Sequence, residues 1–123
     1  MHKINKIYLD MDGVIADFNG RFRELYGMSP KKADKHGEFE RFFRDFVETR
    51  QFENLGLLHG AIDLINFCKK ASPTVEILSS THSKEYEDPI SRQKKIWLQK
   101  HNIPFKTNFV PDHDLKDKFA SPD

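Results

Sequence analysis

Sulfur chemistry is nearly absent from this chain. A single cysteine, Cys68, leaves nothing for it to pair with, so no intrachain disulfide can staple the fold. Cys68 lies in an apolar, helix-like stretch and reads as a small buried hydrophobe. No apolar run approaches membrane-spanning length, and the N-terminus carries no signal-peptide hydrophobic region. These absences predict a cytoplasmic chain with no membrane partner. An excess of one charge is missing too. Lys and Arg number 20 against 19 Asp and Glu, leaving a net charge of +1. That balance argues against nucleic-acid or membrane binding driven by bulk charge. There is no internal repeat and no low-complexity segment. What remains is 123 residues, enough for one small domain with a single core. Apolar residues are modest at 37%, and eleven Phe supply much of the core volume.

One stretch stands apart: Tyr8-Leu9-Asp10-Met11-Asp12-Gly13-Val14-Ile15-Ala16-Asp17-Phe18. An apolar run ends on two aspartates two residues apart, and a glycine follows. Read as a strand, alternation puts Asp10 and Asp12 on the same side. Asp10 falls at the carboxyl end of that strand, where open α/β sheets bind ligands. Gly13 permits a sharp turn and close approach to a ligand. Two carboxylates in such a crevice suit a hard cation such as Mg²⁺. One can attack phosphorus while the other moves a proton.

The rest of the chain alternates strands and helices. Ile4–Leu9 reads as a first strand. Helical spacing of Phe18, Phe22 and Leu25 predicts a helix from about Ile15 to Tyr26, stopped by Gly27. Ser29–Gly37 is polar and reads as a connection. Phe39, Phe42, Phe43 and Phe46 predict a second helix over about Glu38–Arg50, with the Phe stripe as helix core. Asn54–Gly60 is a turn-rich return. A third helix, about Ala61–Lys70, carries Ile62, Leu64, Ile65 and Phe67 and ends at Ser72-Pro73. Thr74–Leu78 is a short strand. Asp88-Pro89 reads as an N-cap followed by Pro at the first helical position, opening a helix that runs to about His101. Thr107–Val110 is a third strand. The order β-α-(α insert)-α-β-α-β predicts a parallel sheet in an α/β sandwich.

Two further segments carry candidate chemistry. Leu78-Ser79-Ser80-Thr81 places hydroxyls at a strand end, where they can bind phosphate oxygens beside backbone N–H groups. His82 reads as a loop residue. Ser91-Arg92-Gln93-Lys94-Lys95-Ile96-Trp97-Leu98 places two lysines on a helix. A lysine reaching the crevice would neutralise the attacking carboxylate and the transferring phosphoryl group. A solvated helix face is the alternative. Trp97 reads as packing.

The Asp10-Met11-Asp12-Gly13 segment resembles motif I of the haloacid dehalogenase-like phosphohydrolases. With its continuation to Phe18 it is similar to their 5'(3')-deoxyribonucleotidase branch, of phage and bacterial type. The resemblance implies a Rossmann-like three-layer sandwich with a parallel sheet. A small helical cap over about residues 27–58 would interrupt a core of about 1–26 and 59–123. It implies an Mg²⁺-dependent phosphomonoesterase acting on a nucleotide. Asp10 is the nucleophile that becomes an aspartyl-phosphate, and Asp12 the acid and then the base; both would serve as metal ligands. Ser79 aligns with the motif II hydroxyl, Ser80 with a neighbour that also contacts substrate, and Lys94 with motif III. Phe18 falls where that branch lines its nucleoside pocket; as a bare residue it reads equally as core. Lys116-Asp117-Lys118-Phe119 resembles the Asp-Lys segment before the last motif, giving Lys118 a place at the substrate.

The family's fourth motif, an apolar strand ending in two acidic residues, has no counterpart in these residues. Asp112, Asp114, Asp117 and Asp123 do not follow an apolar strand at the right distance. A sheet lacking that strand exposes an edge, and a metal site short of a carboxylate binds Mg²⁺ more weakly. Three explanations compete: a longer gene product, a partner copy that completes the site or the sheet edge as a homo-oligomer, or a degenerate relative. A non-catalytic binding or assembly protein is therefore the alternative function. A polynucleotide 3'-phosphatase is another, with Lys31, Lys32 and Lys35 as the cluster that could track nucleic acid.

Overall fold

Short β-branched and apolar runs build the centre of the molecule. The computed structural model describes residues 5–111 and Lys116. Strand β1 (Ile7–Leu9) pairs in parallel with β2 (Val75–Ser80), which pairs in parallel with β3 (Lys106–Val110). The order is β1-β2-β3, with Leu9 opposite Ile77 and Ser80 opposite Val110. The expected α/β class with a parallel sheet is therefore met. Among the described strands β1 has one neighbour and lies at an edge. Strand β2 is the central one and is buried from Glu76 onward. It tolerates Glu76 because that carboxylate meets Lys6 at 3.0 Å and the Asn108 amide at 2.9 Å.

Among the described residues five helices accompany the sheet: α1 (Phe18–Tyr26), α2 (Pro30–Lys35), α3 (Phe39–Glu48), α4 (Ala61–Ala71) and α5 (Glu87–Lys100). A 3₁₀ turn (Gln51–Asn54) follows α3. Several boundaries differ from those the periodicity predicts. Helix α1 begins at Phe18 rather than Ile15. Ile15 and Asp17 are drawn into a ribbon with the Gly56–Leu58 segment: Leu58 N–H donates to the Ile15 carbonyl and Asp17 N–H to that of Gly56, both at 2.9 Å. Asp17 then caps α1, its carboxylate accepting from Gly20 N–H at 2.9 Å.

Ser29–Gly37 is not wholly a connection. Ser29 caps and Pro30 opens the six-residue helix α2. The Asp88-Pro89 cap is absent, since α5 starts two residues earlier after Tyr86, with no side-chain cap. Strand β2 runs two residues past Leu78, so Ser79 and Ser80 lie within it.

The core joins Met11, Ile15, Phe22, Phe46, Phe52, Ile77, Ile90 and Trp97, all fully buried. The Phe stripe of α3 is split: Phe43 and Phe46 are buried, while Phe39 and Phe42 pack at the margin. On α4 the buried face is Ala61, Ile65 and Cys68, whereas Ile62 and Phe67 are exposed. On α1, Leu25 is likewise exposed.

Polar ties bind α3 and the segment after it to α5. Gln93, itself buried, donates to the Val47 carbonyl at 2.9 Å and accepts from Phe52 N–H at 3.2 Å. Trp97 Nε1 donates to the Leu55 carbonyl at 2.7 Å. Tyr26 Oη donates to Asp45 at 2.7 Å, tying α1 to α3. No described helix is long and apolar enough to cross a membrane.

Candidate functional site

The loop after β1 is shaped by its own backbone. Met11 carbonyl accepts from Ile15 and Ala16 N–H at 2.9 Å, and Gly13 N–H returns to the Ala16 carbonyl. Gly13 sits at φ +77°, a left-handed conformation that a Cβ would strain. This tight loop delivers Asp10 and Asp12 beside the carboxyl end of β2.

The two carboxylates meet different cations. Asp12 Oδ2 accepts from Lys94 Nζ at 2.9 Å. Asp10 Oδ1 accepts from Met11 N–H at 2.7 Å and from Lys116 Nζ at 2.9 Å. Lys94 thus reaches the crevice from α5, as expected, but its carboxylate is Asp12 rather than the expected nucleophile, Asp10. Its ammonium is fully buried and also donates to Ser79 Oγ at 2.8 Å and the Ser80 carbonyl at 2.7 Å. All three of its protons are engaged. The Phe52 ring lies 5.1 Å from the same nitrogen, a cation–π contact.

Burial and charge pull on Asp12 in opposite directions. Burial is the largest influence and raises its proton affinity. The Lys94 charge, together with hydrogen bonding from His82 and Lys94, outweighs it and holds the carboxyl at about 2. Asp12 is therefore ionised across the physiological range. Its second oxygen, Oδ1, is buried and has no hydrogen-bond partner among the described residues. Asp10 is more open, with its side chain 41% exposed against 17% for Asp12. A buried carboxylate oxygen without a partner calls for a cation or a donor. Asp12 Oδ1 and the Asp10 carboxylate can supply ligands to Mg²⁺, which keeps water in its remaining positions. Among the described residues no group of three or more His, Cys, Asp or Glu side chains gathers to complete a metal cage.

Ser79 and Ser80 are both buried. Ser79 Oγ faces Lys94, and Ser80 Oγ accepts from His82 N–H at 3.0 Å. They seat the lysine and the following turn, while each hydroxyl proton remains available to an incoming oxygen. Phe18 is buried in an aromatic cluster: its ring lies parallel to Phe52 at 5.5 Å and edge-on to Phe46 at 5.1 Å. Lys118 lies outside the described residues, as do Asp112, Asp114, Asp117 and Asp123.

Three residues enter the site that the sequence pattern does not assign to it. Lys116 takes the place beside Asp10, in a segment where Lys118 is the expected contact. His82 is no ordinary loop residue, because its Nε2 lies 3.6 Å from Asp12 Oδ2. Phe52 belongs to the 3₁₀ turn after α3, between the expected second helix and the turn-rich return, and carries no signal beyond being aromatic. For Lys116 the signal is present, since its segment is singled out by the same motif.

No family model matches this chain, and neither a curated protein nor a solved structure matches it.

Proposed function

We propose that this chain is a phosphomonoesterase of the haloacid dehalogenase-like type, acting through an aspartyl-phosphate on nucleoside monophosphates. The observation that carries the reading is Lys94. One fully buried ammonium joins Asp12 of the first motif, Ser79 of the second and α5, three segments picked out separately for phosphate chemistry. The sheet, the helices around it and the α2–α3 insert fit a Rossmann-like sandwich with a helical cap.

In this reading Asp10 attacks phosphorus in line, through the oxygen not held by Lys116 and Met11. The P–O bond to the leaving group breaks as the aspartyl-phosphate forms. Lys94, Lys116 and the two serine hydroxyls offset the charge on the transferring oxygens. Asp12 is ionised at rest, which suits its later task of drawing a proton from the hydrolytic water. Its first task, protonating the leaving oxygen, needs the neutral acid. A phosphate dianion arriving beside Asp12 favours that form, because a like charge raises a carboxyl's proton affinity. Mg²⁺, when bound by Asp10 and Asp12, supplies charge neutralisation at the phosphate.

The test is phosphate release from deoxy- and ribonucleoside monophosphates with Mg²⁺. Asp10→Asn abolishes it, and EDTA does so reversibly. Turnover that persists in Asp10→Asn removes the mechanism.

A second reading is a binding or assembly module on the same scaffold. It is favoured by the pairing itself: each carboxylate already has its own lysine, so the cluster is charge-balanced without any ligand. It predicts weak Mg²⁺ binding, no turnover of any monoester and self-association through the β1 edge. The polynucleotide 3'-phosphatase reading has less support. Lys31, Lys32 and Lys35 line a hollow of about 440 Å³ with Ser29 and His36, and neither Asp10 nor Asp12 lines it.

A further inference from the structure

His82 stands where the two halves of the site meet. It lies two residues past β2 with φ +70°, left-handed backbone that is uncommon outside glycine. Its own N–H, bonded to Ser80 Oγ at 3.0 Å, holds that turn. Backbone of this kind persists only where the surroundings enforce it, and it collects at functional sites. Among the described residues the side chain it delivers meets two sets of neighbours. One ring nitrogen lies 3.6 Å from Asp12. The ring itself lies over Phe18 at 5.9 Å with 28° between planes, and over Phe52 at 6.4 Å with 29°. Phe43 meets it edge-on at 5.2 Å.

The imidazole is thus a planar ring stacked on buried aromatics, with its edge toward the carboxylates. Phe18, Phe43 and Phe52 are almost wholly covered, while the His82 side chain remains 22% exposed. It forms the outer wall of the aromatic cluster. If that wall swings out, a flat, ring-shaped recess opens next to Asp12. A planar heterocycle can fill it and restore the stacking, whereas an aliphatic group restores much less.

We propose that His82 is a specificity-determining residue: its imidazole occupies, in the free protein, the place taken by a planar ring of the substrate when the phosphate sits at Asp10. The proposal rests on the phosphomonoesterase reading for its substrate, but its central event is displacement of one side chain. A ringed monoester must expel His82, and a ringless one need not. The structure therefore sets a barrier that only stacking can repay.

The experiment compares a nucleoside monophosphate with glycerol phosphate, which has no aromatic ring, in wild type, His82→Ala and His82→Trp. The ratio of kcat/KM for the ringed over the ringless substrate rises in His82→Ala, where the recess is already open. It falls in His82→Trp, where a larger ring fills it. Each change is roughly three- to tenfold, the scale of one aromatic pair. A merely structural role lowers both substrates together and leaves the ratio within about twofold in both variants, which overturns the proposal. A second measurement needs neither turnover nor a stable variant. The His82 ring-proton resonance of the wild-type chain is followed by NMR as a nucleoside without phosphate is added. The resonance moves out of the Phe18 and Phe43 ring currents on displacement, and glycerol phosphate leaves it in place. No movement at saturating nucleoside overturns the proposal. If no monoester releases phosphate, the phosphatase reading falls and the resonance alone decides whether the recess exists.

Discussion

Replacing Lys94 with methionine keeps the apolar stem of the side chain and removes its charge together with its three donated hydrogen bonds. In the native site that charge is the largest influence opposing the burial of Asp12. The displacement of Asp12 from 3.8 to about 2 corresponds to roughly 2 kcal/mol of stability at neutral pH. This contribution is complete above the unfolded pKa and is lost as pH falls through about 2, because the folded pKa is the depressed one. In Lys94→Met the balance reverses. Burial now dominates, the folded pKa of Asp12 rises above its unfolded value, and the ionised form becomes a penalty at pH 7. Leaving one partner of a buried pair uncompensated costs about 3–5 kcal/mol. The stability gap between wild type and variant is therefore widest near pH 7. It narrows toward pH 4, as Asp12 takes up a proton in the variant alone. Urea unfolding at the two pH values reads the gap. Adding Asp12→Asn to Lys94→Met recovers much of the loss, giving a coupling of about 2 kcal/mol in the double-mutant cycle. Additive single effects, within about 0.5 kcal/mol, would refute the claim that Lys94 and Asp12 act as one buried pair.

Three other outcomes are expected from the geometry. Gln93→Leu strips the Phe52 N–H of its acceptor, while the Val47 carbonyl keeps the Arg50 N–H at 3.0 Å. The cost is about 1–3 kcal/mol in the urea midpoint, and a loss under about 0.5 kcal/mol would show that the tie is incidental. Gly20→Ala places a Cβ 2.2 Å from Asp17 Oδ2, so the capping carboxylate must swing away. The variant loses about 1 kcal/mol in thermal unfolding, and the loss does not add to that of Asp17→Ala, since both remove the same cap. Asp10→Asn, which leaves Lys116 a neutral acceptor, folds with near-native stability by circular dichroism while losing turnover; unfolding of this variant would recast Asp10 as structural.

The parts of the molecule legible in the sequence are those set by local pattern. Gly13 after two aspartates announces the turn, and its positive φ shows why glycine is there. The apolar runs within Ile4–Leu9 and Thr74–Leu78 announce parallel strands, and the Phe stripe on α3 announces a helix. What local pattern misses is decided at a distance. Ile15 stands at helical spacing from Phe18 and Phe22, yet its backbone and that of Asp17 pair with Gly56–Leu58, far along the chain. Helix α2 is short and polar, with Ala33 as its buried residue, so no apolar stripe reveals it, although Ser29-Pro30 is a start signal. At the site, residue types and spacing place a lysine near two carboxylates. They do not say which carboxylate it takes, because that depends on how α5 leans on the end of β2. His82 is illegible for the same reason: a left-handed turn and a ring packed against three others are properties of the assembled chain.

Gln93 and Lys94 are neighbours on α5, and they face different masters. Gln93 grips the backbone of α3 and the 3₁₀ turn; Lys94 grips Asp12, Ser79 and Ser80. Helix α5 is fourteen residues long, and the two grips sit side by side on it. One helix therefore serves both as the seat of the α3 segment and as the carrier of the ammonium that keeps Asp12 ionised.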